Sequence, residues 1–175
     1  LVFYRLREEI GEEALNQALK RFLQDKAFQQ PPYATSNERL AYIRAEAPAD
    51  KQLLITDLFE KIVFYDNRVV EATAVKRGDG RYDVTMQLKA AKIHSDGIGK
   101  ETPAPIDDDI EVAVFARAPG AEEADETVLF LERRRFTMAD PTITVTVDAE
   151  PYEAGFDPYN KLIDRVPIDN RKVIE

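Results

Sequence analysis

Tyr82-Asp83-Val84-Thr85-Met86-Gln87-Leu88-Lys89 decides the fold of the second half of this chain. Tyr82, Val84, Met86 and Leu88 fall on one face and Asp83, Thr85, Gln87 and Lys89 on the other, the period of two that marks a β-strand with one wet face. Just upstream, Gly78-Asp79-Gly80 supplies a turn, because glycine accepts a positive φ at no steric cost, and Val69, Val70, Thr73 and Val75 precede it. A hairpin is expected. Further on, Ile110, Val112 and Val114 repeat the alternation, Val128 through Phe136 forms an apolar run, and Ile143, Val145 and Val147 alternate with Thr142, Thr144 and Thr146. Polar loops rich in Gly, Pro and acid lie between them, at 95–109 and 118–126. No helix-length crossover separates these strands, so they are expected to pair antiparallel in an immunoglobulin-like β-sandwich over 67–150.

The region 1–66 reads differently. Leu6, Ile10, Leu15, Leu19, Phe22 and Leu23 recur mostly every three or four residues, with Arg5, Glu9, Glu12, Glu13 and Lys20 between them, an amphipathic helix pattern. Gly11 interrupts it, and either two helices or one bent helix fits. Pro31-Pro32 ends that stretch. Thr35-Ser36-Asn37-Glu38 then has the spacing of a capping box, opening a helix that runs to about Glu46. Pro48 closes it, and Asp50 is expected to cap a third helix carrying Leu54, Leu58, Phe59 and Ile62 on one side. The fold class expected is therefore α+β, with helices first and sheet second.

The composition bounds the function. Of 175 residues, 44% are hydrophobic and 33% charged, ordinary for a chain with a packed core. A net charge of -9 repels phosphate backbones, so no nucleic-acid partner is expected. Without cysteine there is no disulfide, thiolate nucleophile or thiolate metal site. No stretch approaches the roughly 20 apolar residues of a membrane helix, so the chain is not expected to insert in a bilayer itself. Leu1-Val2-Phe3 falls inside a helical pattern, and a preceding region is expected.

Catalytic motifs are missing. His94 is the only histidine, so no His-Glu-x-x-His zinc site exists, and a Ser-His-Asp triad would have to be built around it with Ser95 or Ser36. No Gly-x-Ser-x-Gly elbow is present. The acidic loop with Asp96-Gly97-Ile98-Gly99 and Asp107-Asp108-Asp109 has oxygen ligands suited to calcium but not the EF-hand spacing, and a solvated turn is the preferred reading. Arg133-Arg134-Arg135 is the one basic run, and strand alternation sends its side chains to opposite faces.

The turn-rich tail, 151–175, is the most distinctive segment. Asp157, Pro158, Tyr159, Leu162, Ile163, Asp164 and Arg165 are expected to lock it onto the body. Asp157 would cap a short helix with Pro158 in its first turn, Leu162 and Ile163 would be buried, and Asp164 would pair with Arg165. The rival reading is a carboxylate metal site from Asp157, Asp164 and Asp169.

Together with Arg5-Leu6-Arg7-Glu8-Glu9-Ile10-Gly11-Glu12, Ala18-Leu19, Pro32-Tyr33-Ala34-Thr35-Ser36 and Asp57-Leu58-Phe59-Glu60-Lys61-Ile62, this tail resembles the end of aminopeptidase N-like zinc metallopeptidases. It is most similar to the bacterial subgroup in which a peptidase-like domain is fused to an ABC-transporter-type permease. The resemblance spans essentially the whole chain, and Asp-Pro-Tyr-x-x-Leu-Ile-Asp-Arg is its most specific block. It implies that zinc is bound upstream, by His-Glu-x-x-His and a later Glu, and that no catalytic, cofactor or metal residue lies here. Tyr4 does not match the family's intermediate-stabilising Tyr, since no Lys-Gly follows it. Ile168-Asp169-Asn170 departs from the family's usual Asp-Asp-Asn.

The function so implied is a non-catalytic C-terminal accessory region that packs against an upstream peptidase-like domain of the same parent, itself bacterial, membrane-associated and holding this region outside the bilayer. The alternatives from other classes are an immunoglobulin-like binding or adhesion module with no peptidase link, and a calcium-dependent module using the acidic loop.

Overall fold

A computed structural model describes residues 1–117 and 125–175. Most of the polar loop expected at 118–126 therefore lies outside the described residues. The chain is α+β, and its described residues hold four α-helices and three antiparallel sheets built from ten strands. It divides into two compact units, Leu1–Ile62 and Val63–Glu175.

In the first unit, Gly11 at φ 88° separates α1 (Val2–Ile10) from α2 (Glu12–Lys26), so the periodic stretch is two helices. Glycine takes this conformation without the steric penalty a Cβ would bring. Helix α3 (Ser36–Glu46) opens on a complete capping box. Thr35 Oγ1 accepts the Glu38 amide at 3.3 Å, and the Glu38 carboxylate accepts the Thr35 amide at 2.8 Å. Asp50 does not cap the next helix. It lies inside a 3-10 turn (Ala49–Lys51) one step ahead of α4 (Gln52–Phe59), whose start has no side-chain cap. Leu6, Ala18, Ile43 and Ile55 are buried in this unit's core. Beside it, Arg5 and Lys51 each reach the buried Glu9 carboxylate at 2.8 Å.

The N-terminal helices end at Phe59 rather than near 66, because Ile62-Val63-Phe64-Tyr65, all β-branched or aromatic, forms β1 (Ile62–Tyr65). The strands that follow are β2 (Arg68–Lys76), β3 (Tyr82–Lys89), β4 (Lys92–Ser95), β5 (Glu101–Ala104), β6 (Asp108–Ala116), β7 (Thr127–Phe136), β8 (Thr142–Val147), β9 (Glu153–Phe156) and β10 (Arg171–Val173). They order as β2-β3-β8, β10-β9-β6-β7 and β1-β4-β5. The apolar face of β3 is buried, and its register sets Val84 opposite Val145 and Met86 opposite Ile143. Ile110, Val112, Val114 and Phe156 share this core, with the Phe136 and Phe156 rings edge to face at 5.0 Å.

The last segment is more than turns. It supplies β9, an inner strand between β6 and β10, and β10 itself. Both are too short to show alternation, which is why the sequence pattern passes over them.

Candidate functional site

Glu153-Ala154-Gly155-Phe156 delivers the tail motif to the face of β6. Asp157 follows in a left-handed conformation, φ 52°, and is almost wholly buried. Its amide donates to the Glu111 carbonyl at 2.8 Å, while its carboxylate accepts the amides of Lys161 at 3.0 Å and Leu162 at 2.9 Å. Asn160 is also left-handed, at φ 51°. A helix cannot form with that residue in its middle, so the expected short helix is a turn wrapped around one carboxylate.

Pro158 sits on Gly155. A Cβ on that glycine would lie 2.7 Å from the Pro158 Cβ, closer than such atoms approach. The Tyr159 ring meets Phe115 edge-on at 6.2 Å, and partial burial, then the nearby Glu126, pushes its phenol above the ordinary tyrosine range. Lys161 pairs with Glu111 at 2.7 Å. Leu162 is buried in the main core. Ile163 is not: it is half-exposed, since adjacent residues of an extended segment point to opposite sides.

At Asp164 the tail runs parallel to β1. The Tyr65 amide donates to the Ile163 carbonyl at 2.9 Å and the Arg165 amide to the Tyr65 carbonyl at 3.0 Å. The Asp164 carboxylate accepts two further amides, from Asn67 and Val166, each at 2.8 Å. Burial raises its pKa, the two amides oppose the rise, and Asp169 and Asp66 add to it. The expected Asp164–Arg165 ion pair does not form. Arg165 pairs with Glu101 and lies 5.3 Å over the Phe64 ring.

Beneath this attachment lies a buried polar cluster centred on Asp108, which the sequence reading expects in a solvated acidic turn but which opens β6 and is buried. The Tyr65 hydroxyl donates to Asp108 at 2.9 Å, and Lys92 Nζ reaches both Asp108 oxygens at 3.2 Å. All three side chains are buried, and they come from β1, β4 and β6. Their separation in sequence hides them. The only cue was aromatic and acidic residues at strand ends, a pattern too common to single out.

A second network joins the tail to the sheet. Arg171 pairs with Glu126 and, at 2.7 Å, with Glu153, which also holds Arg117 at 3.2 Å. Arg171 lies 4.2 Å over the Phe115 ring. Burial works against its charge, but Glu126 and Glu153 outweigh that and raise its pKa.

The other sequence candidates make local contacts of their own. His94 stands on β4 opposite Thr102. The Asp96 carboxylate accepts the amides of Ile98 at 3.0 Å and Lys100 at 2.8 Å, closing its own turn, and Asp107 pairs with Arg135 at 2.7 Å. Arg134 pairs with Glu132 at 2.7 Å. Asp157 and Asp164 each spend both carboxylate oxygens on backbone amides. Among the described residues no group of three or more acidic or histidine side chains is arranged to hold a metal ion, and no helix is long and apolar enough to cross a membrane. No family model and no curated protein matches this chain.

The arrangement thus holds chain segments together. Its acids face amides and cations of the protein itself.

Proposed function

We propose that this chain is the non-catalytic C-terminal accessory region of a larger zinc aminopeptidase-like protein, where it packs against and shapes the peptidase-like domain. Zinc belongs to that upstream domain, and the parent is a bacterial, membrane-associated protein carrying this region outside the bilayer. The β-rich unit serves as an immunoglobulin-like sandwich closed by its own tail, and the helical unit provides the docking face.

The observation that carries this reading is the surface of the helical unit. Tyr4 on α1 is 45% exposed and Leu53 on α4 is 79% exposed, with Leu1 and Phe3 also outward. Scattered apolar side chains are ordinary on a surface, but several on one small unit favour cover by another domain. The tail motif adds the resemblance described above and supports a scaffold role, since the carboxylates of Asp157 and Asp164 and the guanidinium of Arg165 all meet groups of the chain itself.

Co-expression of the chain with the peptidase-like domain of its parent tests this. The unsubstituted chain is expected to copurify with that domain, and a Tyr4→Asp, Leu53→Asp variant to lose it while melting as before. Failure of the unsubstituted chain to copurify would overturn the proposal.

A further inference from the structure

Most edges of the three sheets carry a feature that discourages another strand. On β7 four consecutive residues, Glu132, Arg133, Arg134 and Arg135, are charged. Strand β5 contains Pro103, which has no amide to donate. The edge of β2 is taken up by the chain's last residue, whose amide donates to the Ala72 carbonyl at 3.0 Å and whose carbonyl accepts the Ala74 amide at 3.2 Å. Tyr65 of β1 is taken up by the tail. Natural edges are protected in these ways because a bare strand pairs with whatever strand it meets.

Strand β8 carries none of these features. It reads Thr-Ile-Thr-Val-Thr-Val, six β-branched residues without charge, proline or glycine, and it ends the order β2-β3-β8. Among the described residues no strand pairs with its outer side. Short uncharged segments of high β-propensity are those most ready to add a strand.

The strand also matches itself. In an antiparallel register centred on Thr144, each Thr144 faces its counterpart, Thr142 faces Thr146, and Ile143 faces Val145. Directly opposed residues share a face, so this register sets hydroxyls against hydroxyls on the exposed side and aliphatic groups against aliphatic groups on the buried side. A slip by one residue would set threonine against isoleucine or valine and reverse every face. The hydroxyl row is already begun within one copy, where Thr85 and Thr144 hydroxyls lie 3.0 Å apart.

We infer that β8 is a self-association edge, at which a second copy of this chain adds its own β8 antiparallel about a two-fold axis through Thr144. The product is one continuous six-strand sheet in the order β2-β3-β8-β8-β3-β2. Such an interface is isologous and closes at two copies, because pairing consumes the open edge.

The absence of native cysteine makes the register directly testable. Opposed Cα atoms in an antiparallel pair lie about 4.5–5.5 Å apart, within disulfide reach, whereas two copies of residue 142 would lie about 13 Å apart. Under mild oxidation Thr144→Cys is expected to convert to a covalent dimer at least tenfold faster than Thr142→Cys. The unsubstituted chain should sediment as a dimer at tens of micromolar. Thr144→Lys, which sets two ammonium groups face to face at an exposed position, should sediment as a folded monomer with an unchanged far-ultraviolet circular dichroism spectrum. A monomeric unsubstituted chain, equal cross-linking at both positions, or a Thr144→Lys variant that stays dimeric would each overturn the inference.

Discussion

The Tyr65 hydroxyl donates to Asp108 at 2.9 Å across 43 residues of sequence, and both side chains are buried. The same tyrosine holds the tail through its backbone. One residue therefore ties β1 to β6 through its side chain and to Ile163 and Arg165 through its amide and carbonyl. Removing Asp108 leaves the Lys92 ammonium buried without its carboxylate, so Asp108→Ala is expected to destabilise the β-rich unit by about 3–5 kcal/mol. Tyr65→Phe removes one hydrogen bond to a charged group, about 1.5–3 kcal/mol. Joint replacement, Lys92→Met with Asp108→Leu, should recover most of the loss. Urea denaturation of the three variants measures this, and a Lys92→Met, Asp108→Leu chain no more stable than Asp108→Ala would contradict it.

The turn at 157–162 rests on a single carboxylate with two amides. Asp157→Ala removes both acceptors, one of them from the buried Leu162 amide, and strains a left-handed residue besides. A loss of about 2–4 kcal/mol is expected, more than a helix cap would give. Leu162→Ala should cost about 2–5 kcal/mol, as buried leucines do, while Ile163→Ala should change stability by less than about 1 kcal/mol. Equal effects at 162 and 163 in urea melts would show that the tail does not dock in this register.

Gly155 and Pro158 form a contact with no room between them. Gly155→Ala should therefore destabilise by about 1–3 kcal/mol through overpacking. Truncating the other side, Pro158→Ala, does not remove the Cβ that Gly155→Ala would strike, so the double variant should show little rescue. Replacing Pro158 with Gly does remove it. Gly155→Ala combined with Pro158→Gly is expected to fall short of the sum of the single effects, and strict additivity in a double-mutant cycle would show that the contact is not tight.

Acid should remove the contribution of the Glu38 carboxylate to the capping box of the helical unit. Glu38 is held down to about 2 from an ordinary 4.5, first by the Lys26 ammonium and then by the Thr35 amide. Because its folded value is depressed, its contribution is fully present above about 4.5 and is lost as pH falls towards about 2. Asp164 runs the other way. Burial raises its folded value above the ordinary 3.8, so its contribution is present below 3.8 and is lost as pH rises through the folded value. Carboxyl-carbon NMR titration reads both sites, and a Glu38 resonance that titrates near 4.5 would refute the first assignment. Glu38→Gln should flatten the acid limb of the melting profile.

The isolated chain should not hydrolyse aminoacyl reporter substrates with added zinc. It holds one histidine and no His-Glu-x-x-His, so it cannot assemble the usual three-ligand zinc centre of that chemistry. Chelator-sensitive turnover by the pure chain would refute this.

The strands legible in the sequence are the long ones with one wet face. In β3 the alternation from Tyr82 to Lys89 gave both existence and orientation, and the Thr35 to Glu38 capping box gave the start of α3 to the residue. These are local effects, set by backbone geometry within a few residues. Asp50 and the 159–163 stretch carry local helix signals of the same kind, but a 3-10 turn at Asp50 and a left-handed Asn160 replace the expected helix starts. The tail residues stood out in the sequence, but their partners did not.

What the sequence determined by itself is the switch from helices to long alternating strands, the single histidine, and the tail as the segment that stands out. Only the tertiary structure decided that Asp164 accepts the Asn67 amide instead of pairing with Arg165, and that Leu162 is buried while Ile163 is not. It alone brought Tyr65, Lys92 and Asp108 together. Local pattern fixes which face of a strand is apolar, but a contact across 43 or 97 residues depends on how the sheets stack and register, which no short window of sequence contains.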